Sequence, residues 1–329
     1  MVGLDTRACD AVVGVLRQFA VPDDREETSL PELASSDVPN FYFYLVAVCH
    51  QTSPVGVPPV EGFVNGVHRR GWDYLWARFA EECARDRGRL SPGKWASESE
   101  ESLAEAFWDS RLGVRLTRLD ERATLIRDLG RRLQYQGVES VQALFDRCRG
   151  YVRRSDPNLL GELRAFEAYA DPVEKKSIFF LSLMRNSGLW KYPDADSLEA
   201  PVDYHEVRGH LRLGTVRLDG ELAERLRSGA QVSEADDVAI RSEVRKAIRY
   251  IADQLGITPS TAHYMFWNVF RSICHRELPE CLEVSPTNAL PERYRPLLFD
   301  GQSCPFVAVC PSARSEERLV EHRVVTHFY

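Results

Sequence analysis

Four of the eight cysteines lie in the last 56 residues, in the pattern C-x6-C-x22-C-x5-C formed by Cys274, Cys281, Cys304 and Cys310. A chain that must bring four side chains from these positions to one place has few ways to fold its C-terminal part. In a reducing compartment, clustered thiols point to metal or redox chemistry rather than to disulfides. Cys9, Cys49, Cys83 and Cys148 are scattered and read as small buried hydrophobes. Four thiolates can hold a structural zinc or a 4Fe-4S cluster. Zinc sites favour short C-x2–4-C knuckles, so gaps of six and five residues suit the larger cubane better.

The compartment follows from what the chain offers a membrane or an export system. No apolar run approaches the roughly 20 residues that span a bilayer. The opening stretch, MVGLDTRACDAVVGVLRQF, reads as an amphipathic helix without the basic start and cleavage site of a secretory signal. A cytoplasmic, monomeric protein without membrane partners is the expectation. Its net charge of −7 argues against indiscriminate nucleic-acid binding, since phosphate affinity comes from Lys and Arg. The charge is uneven, however: between Arg111 and Arg154 stand eleven Arg against five Asp or Glu.

With 44% hydrophobic and 28% charged residues the 329-residue chain is globular, long enough for one large core or two smaller ones, and mostly helical in pattern. The polar stretch DDREETSLPELASSDVPN reads as a linker or long loop. FYFYLVAVCH reads as a buried helix that breaks at SPVGVPPVEG, where prolines and glycines forbid helix. Helices are expected over Gly71–Arg85, Glu100–Trp108, Leu119–Leu133, Val138–Arg153 and Leu159–Ala170. Asp171 can cap another, with Pro172 in its first turn, running through KKSIFFLSLMRN. Val238, Val244, Ile248, Ile251 and Leu255 mark one closed by Gly256, and Thr258-Pro259 starts one that runs to Cys274. RLVEHRVVTHFY reads as a short strand or a loose tail.

At the quartet the chain resembles the helix-hairpin-helix DNA glycosylase superfamily. Endonuclease III and its adenine-glycosylase relative close with C-x6-C-x2-C-x5-C around a 4Fe-4S cluster. The outer gaps match here, Pro279 precedes the second cysteine, and LEVSPTNALPERYRPLLFDGQS replaces the two middle residues. A surface loop can be inserted at small entropic cost. APVDYHEVRGHLRLG (200–214) resembles the signature V-D-T-H-x-x-R-x-x-x-R-L-G, through Val202, Asp203, His205, Arg208, Arg212, Leu213 and Gly214. DPVEKKSIFF stands where that superfamily has its hairpin, its lysine and the following helix; Lys176, followed by Ser177, fits the lysine. The 27-residue step from Lys176 to Asp203, with Glu174-Lys175-Lys176-Ser177 and Pro201-Val202-Asp203-Tyr204 at its ends, is similar to archaeal 8-oxoguanine glycosylases. The resemblance covers roughly residues 41–275 and is densest over 174–214.

It implies a mainly α, two-domain fold: a helical barrel over 41–200, and a discontinuous helical domain of 1–40 and 201–329 that carries the cluster loop. It also implies a DNA glycosylase with lyase activity at apurinic or apyrimidinic sites, acting on DNA with a modified base. Lys176 would attack the sugar and form a Schiff base, which needs its amine partly neutral. Asp203 would stabilise the positive charge developing on the sugar and assist proton transfer. By the same resemblance Trp72 and Trp267 flank the extruded base, His263 reads it, and Gln51 faces the DNA gap. His263 falls where the archaeal enzymes use an acidic residue, so 8-oxoguanine itself is not implied. His50 has no counterpart role. One departure touches the partner: the usual hairpin L-P-G-x-G admits a phosphate to backbone N–H groups, whereas YADPVEKK has no glycine. That keeps RNA or a free modified nucleoside open as substrate, and beside it a non-catalytic nucleic-acid-binding member of the fold.

Overall fold

The computed structural model describes residues 1–22, 31–53, 57–315 and 318–329. The first eight residues of the expected linker (23–30) and part of the expected break (54–56) lie outside the described residues. The protein is mainly helical, with three short antiparallel strand pairs among the described residues, and divides into two compact units. One comprises 1–26 and 198–325, the other 27–197 and 326–329. The sequence reading set its limits at 40 and 200; here the last four residues group with the second unit.

In the unit of 1–26 and 198–325, Thr6–Leu16 is capped by Asp5, whose Oδ1 accepts from Ala8 N at 3.0 Å. Cys9, Val12, Val13 and Leu16 recur at helical spacing and are buried. They join a core shared with Glu234–Leu255, which Ser233 caps and which ends at Gly256 in the left-handed conformation, as its sequence implies. Pro259–Ser272 starts behind Thr258, whose Oγ1 accepts from Thr261 N at 3.0 Å. Tyr204–Leu213 packs against it, and Gly209 sets how closely. A Cβ there would lie 2.2 Å from the Phe270 ring, so no other residue allows this approach. Val2–Leu4 pairs with Val216–Leu218, joining the N-terminal strand to the segment after that helix.

The second unit is built on Val38–Val48, which is buried on every side, as its continuous apolar run implies. Its buried amide, Asn40, is satisfied by Leu90 O, Glu139 O and Val141 N at 2.9–3.0 Å. Gly71–Arg85, Leu119–Tyr135 and Lys175–Asn186 pack around it, with Phe43 stacked on Tyr169 at 4.8 Å. Two expected helices shorten. Over Val138–Arg153 only Gln142–Arg147 is α-helical, because Arg149 and Gly150 turn left-handed and the Asp194 carboxylate captures the N–H groups of Val152, Arg153 and Arg154. Leu159–Ala170 becomes Leu159–Arg164 and a 3-10 turn, Glu167–Tyr169. A hairpin, Glu61–Val64 with Val67–Arg70, escaped the sequence reading although its turn, Asn65-Gly66, is the strongest short hairpin signal. Both turn residues have positive φ, 52° and 79°.

Candidate functional site

Lys176 is the second residue of Lys175–Asn186, and its entry is not the one expected. The helix begins at Lys175, behind Glu174 in the left-handed region (φ 57°), and Pro172 lies in the turn before it. Asp171 holds this start: its two carboxylate oxygens accept from Val173 N at 3.0 Å and Lys175 N at 2.9 Å. Glu174 is clamped by Arg153 and Arg164 at 2.7 and 2.9 Å.

The Lys176 side chain is fully buried, not a surface lysine. Its Nζ donates to Ala47 O at 2.6 Å and lies 3.3 Å from His50 Nδ1. Burial above all, then the neighbouring Lys175 charge, holds its pKa well below the ordinary lysine value, which favours the neutral amine. His50 is buried too, and burial above all, with the Arg122 guanidinium beside it, holds its pKa well below the ordinary histidine value. Its Nε2 lies 2.9 Å from Glu121 Oε1. Arg122 donates from Nη2 to His50 O at 2.7 Å and from Nε to Thr117 O at 2.7 Å, fixing this corner. Lys175 differs from a solvent-facing neighbour: it is buried, with Nζ 5.0 Å above the Phe179 ring.

Of the other residues singled out in this unit, Trp72 is half-buried, edge-on to Phe179 at 4.9 Å, and so belongs to the neighbourhood of the Lys176 helix. Gln51 does not present a free amide. It lies beyond the helix end with φ 47°, and both its backbone N–H and its Nε2 meet Tyr329 O, at 3.0 and 3.5 Å.

Asp203 belongs to the other unit, where it caps Tyr204–Leu213. Its Oδ1 accepts from His205 N at 2.8 Å and Glu206 N at 3.4 Å, and Glu206 Oε2 accepts from Asp203 N, closing a capping box. Its Oδ2 accepts from Trp267 Nε1 at 2.9 Å. Asp203 and Trp267 are therefore brought together, and Arg271 covers one face of the Trp267 ring at 4.8 Å. His263 is buried with Nδ1 2.8 Å from Glu206 Oε1, so that edge is committed within the protein. Burial pushes the Glu206 carboxyl up. His205, against Arg208 Nη2 at 2.8 Å, is pushed down to about 4, chiefly by burial.

Cys274, Cys281, Cys304 and Cys310 line one hollow in this unit, with Phe270, Phe306 and Arg212 among its other walls. All four are free thiols. The 22-residue insertion does not separate them: Cys304 N donates to Cys281 O at 3.0 Å, so the chain returns to the point it left. Nor is the insertion a surface loop, since Leu290, Tyr294, Leu297 and Leu298 are buried in the core. Burial raises the thiol pKa of Cys281, Cys304 and Cys310, the last to about 11, and the neighbouring cysteines raise each further. A hollow lined by four thiols, two buried and two half-buried, suits a cationic group between them, because a coordinated metal deprotonates thiols outright. Arg212 Nη1 donates to Cys274 Sγ at 3.2 Å and to His275 O at 2.6 Å, and Arg208 Nε donates to Cys274 O at 2.7 Å. The donor set thus fits an anionic metal–thiolate group. Among the described residues, no group of three or more His, Cys, Asp or Glu is arranged to hold a metal ion.

The sequence reading missed Glu121 and Glu206 and left His50 without a role. Glu206 was legible as the third residue after a capping Asp. Glu121 had no local signal, because it meets His50 across 71 positions of sequence. No family model matches the chain, and no curated protein matches it significantly. No helix among the described residues is long and apolar enough to cross a membrane.

Proposed function

We propose that the chain is an N-glycosylase of the helix-hairpin-helix type that excises a modified base through a lysine Schiff base, with lyase activity at the resulting site. The observation that carries this reading is the fully buried Lys176 amine, kept neutral by burial and neighbouring cations. A neutral amine can bond to C1′ of the sugar, displace the base and proceed to an iminium. Asp203 is, by the resemblance, the carboxylate that stabilises charge on the sugar. Trp72, Trp267 and His263 are the residues that the resemblance assigns to the base. Cys274, Cys281, Cys304 and Cys310 hold a 4Fe-4S cluster in this reading, and the cluster, when bound, ties the C-terminal segment together and supplies a redox-capable centre.

DNA with a modified base is the substrate by resemblance, and one observation favours RNA or a free modified nucleoside. The N–H groups at the start of the Lys176 helix, where that superfamily receives a DNA phosphate, already hydrogen-bond the Asp171 carboxylate. Borohydride trapping against modified-base oligonucleotides in DNA and RNA, and against free modified nucleosides, separates these. An adduct on Lys176 that Lys176→Ala abolishes is the expected result. Base release by Lys176→Ala at the full rate would refute the mechanism. Iron and acid-labile sulfide in anaerobically purified protein, lost in Cys304→Ser, test the cluster; one zinc and no iron would exclude it.

A further inference from the structure

His50 is a buried titratable group in contact with the Lys176 amine that the mechanism above does not use. Two donors converge on its Nδ1, Lys176 Nζ at 3.3 Å and Arg122 Nη1 at 3.5 Å. Facing two donors, Nδ1 must be the acceptor nitrogen, so the ring hydrogen is on Nε2 and points at Glu121 Oε1, 2.9 Å away. Glu121 is also paired with Arg118, and its side chain is 26% exposed, whereas His50 and Lys176 are closed to solvent. Amine, imidazole and carboxylate therefore form one hydrogen-bonded line from the buried nitrogen to water. The charged and titratable groups facing it are Arg118 and Arg122 from the Leu119–Tyr135 helix and its cap, Lys175 beside Lys176, Cys49 next to His50, and His327 from the C-terminal segment.

We propose that His50 accepts the proton that the Lys176 amine must lose during Schiff-base formation, and that Glu121 passes it to solvent. The proposal rests on Lys176 being the nucleophile. When the neutral amine bonds to C1′, the C1′–N bond breaks and its electron pair leaves with the base, which takes a proton from water. The attacking nitrogen then carries two protons and a positive charge. One proton moves to His50 Nδ1, while the Nε2 proton moves to Glu121 and from there to water. The secondary amine that results expels the ring oxygen, which leaves with the C1′–O pair and is protonated by water, and the iminium forms. Hydrolysis of the iminium runs the line in reverse and restores the starting tautomer. The other hydrogen-bond neighbour of Nζ among the described residues, the Ala47 carbonyl, cannot carry a proton away.

The test uses the full chain with 2-deoxyribose as the aldehyde probe, cyanoborohydride trapping, and peptide mapping to locate the adduct. Wild-type protein should be trapped at Lys176. His50→Gln preserves bulk and an acceptor but cannot relay a proton; its trapping rate should fall about 10²-fold, the low end for general acid–base catalysis. His50→Ala should be equally slow and recover when imidazole is added. Glu121→Gln should be slowed about 10-fold, because the acceptor is gone but the ring remains. Unchanged trapping at Lys176 in His50→Gln and Glu121→Gln overturns the relay and leaves Lys176 as nucleophile. Slow variants that imidazole does not restore mark a merely structural histidine and overturn it equally. No adduct on wild-type Lys176 overturns both readings at once.

Discussion

Excising the insertion between Cys281 and Cys304 sets two physical effects against each other. Its ends already touch, with Cys304 N 3.0 Å from Cys281 O, so two residues can replace residues 282–303 without moving either cysteine. Shortening this loop from 22 residues to two recovers about 2 kcal/mol of closure entropy, from (3/2)RT ln 11. Against that, Leu290, Tyr294, Leu297 and Leu298 are at most 7% exposed. Burying each is worth about 1.5–3 kcal/mol, or about 6–12 kcal/mol together. The net loss is about 4–10 kcal/mol, comparable with the whole stability of a typical domain, about 5–15 kcal/mol. Urea titration followed by circular dichroism should show this region unfolded or nearly so, and a thiol-reactive dye should reach the cysteines at once. An excised chain as stable as the parent, with its thiols still protected, would refute the claim that the insertion is part of the core.

Lys176→Met should raise the melting temperature at neutral pH. Because the folded-state pKa of Lys176 is depressed below 10.5, the unfolded chain binds the extra proton between the two values, and wild-type stability rises with pH through that window. The advantage of the variant should shrink as pH climbs and vanish above about 10.5; a pH-independent difference would count against it. Asp203→Asn should cost about 1–3 kcal/mol of stability, because Asn still caps the helix but turns an N–H donor toward Trp267 Nε1, while base release falls further, about 10²–10³-fold. Matching stability and activity losses would indicate a cap and nothing more. Lys175→Ala should keep the trapped adduct but move its pH optimum upward, because a cation that depresses Lys176 is removed; loss of the adduct would shift the assignment to Lys175.

Legibility in the sequence followed the range of the interaction. The helices Gly71–Arg85, Glu234–Leu255 and Pro259–Ser272 could be bounded from their own caps, prolines and apolar periods. The helix expected over Val138–Arg153 failed because Asp194, some 40 residues away, competes for its backbone N–H groups. Both lysines of DPVEKK carry the same local signal, and only the fold buries Lys176 against a histidine and places Lys175 over a ring. Gln51 read as a free polar residue at a helix end because the Tyr329 carbonyl that occupies it is 278 positions distant. Asp203 was legible as a matched signature residue and Trp267 as a base-flanking ring by resemblance, but the hydrogen bond that joins them was not, because 64 positions separate them.

The Asp171 carboxylate turns the start of the Lys176 helix into a site with a tethered resident. Both oxygens are already bonded to backbone N–H groups, and a group held on a short link competes at an effective concentration in the millimolar range or above. An incoming phosphate would have to displace that carboxylate and then tolerate the expelled negative charge beside it. Long polyanions lose most by this, since they rely on such contacts along their length, whereas a ligand held through its base loses little. Discrimination of that kind works by internal competition and needs no steric barrier. Removing the tethered competitor, rather than adding basic residues, would then be the shortest route to a form of this protein that grips a nucleic-acid backbone.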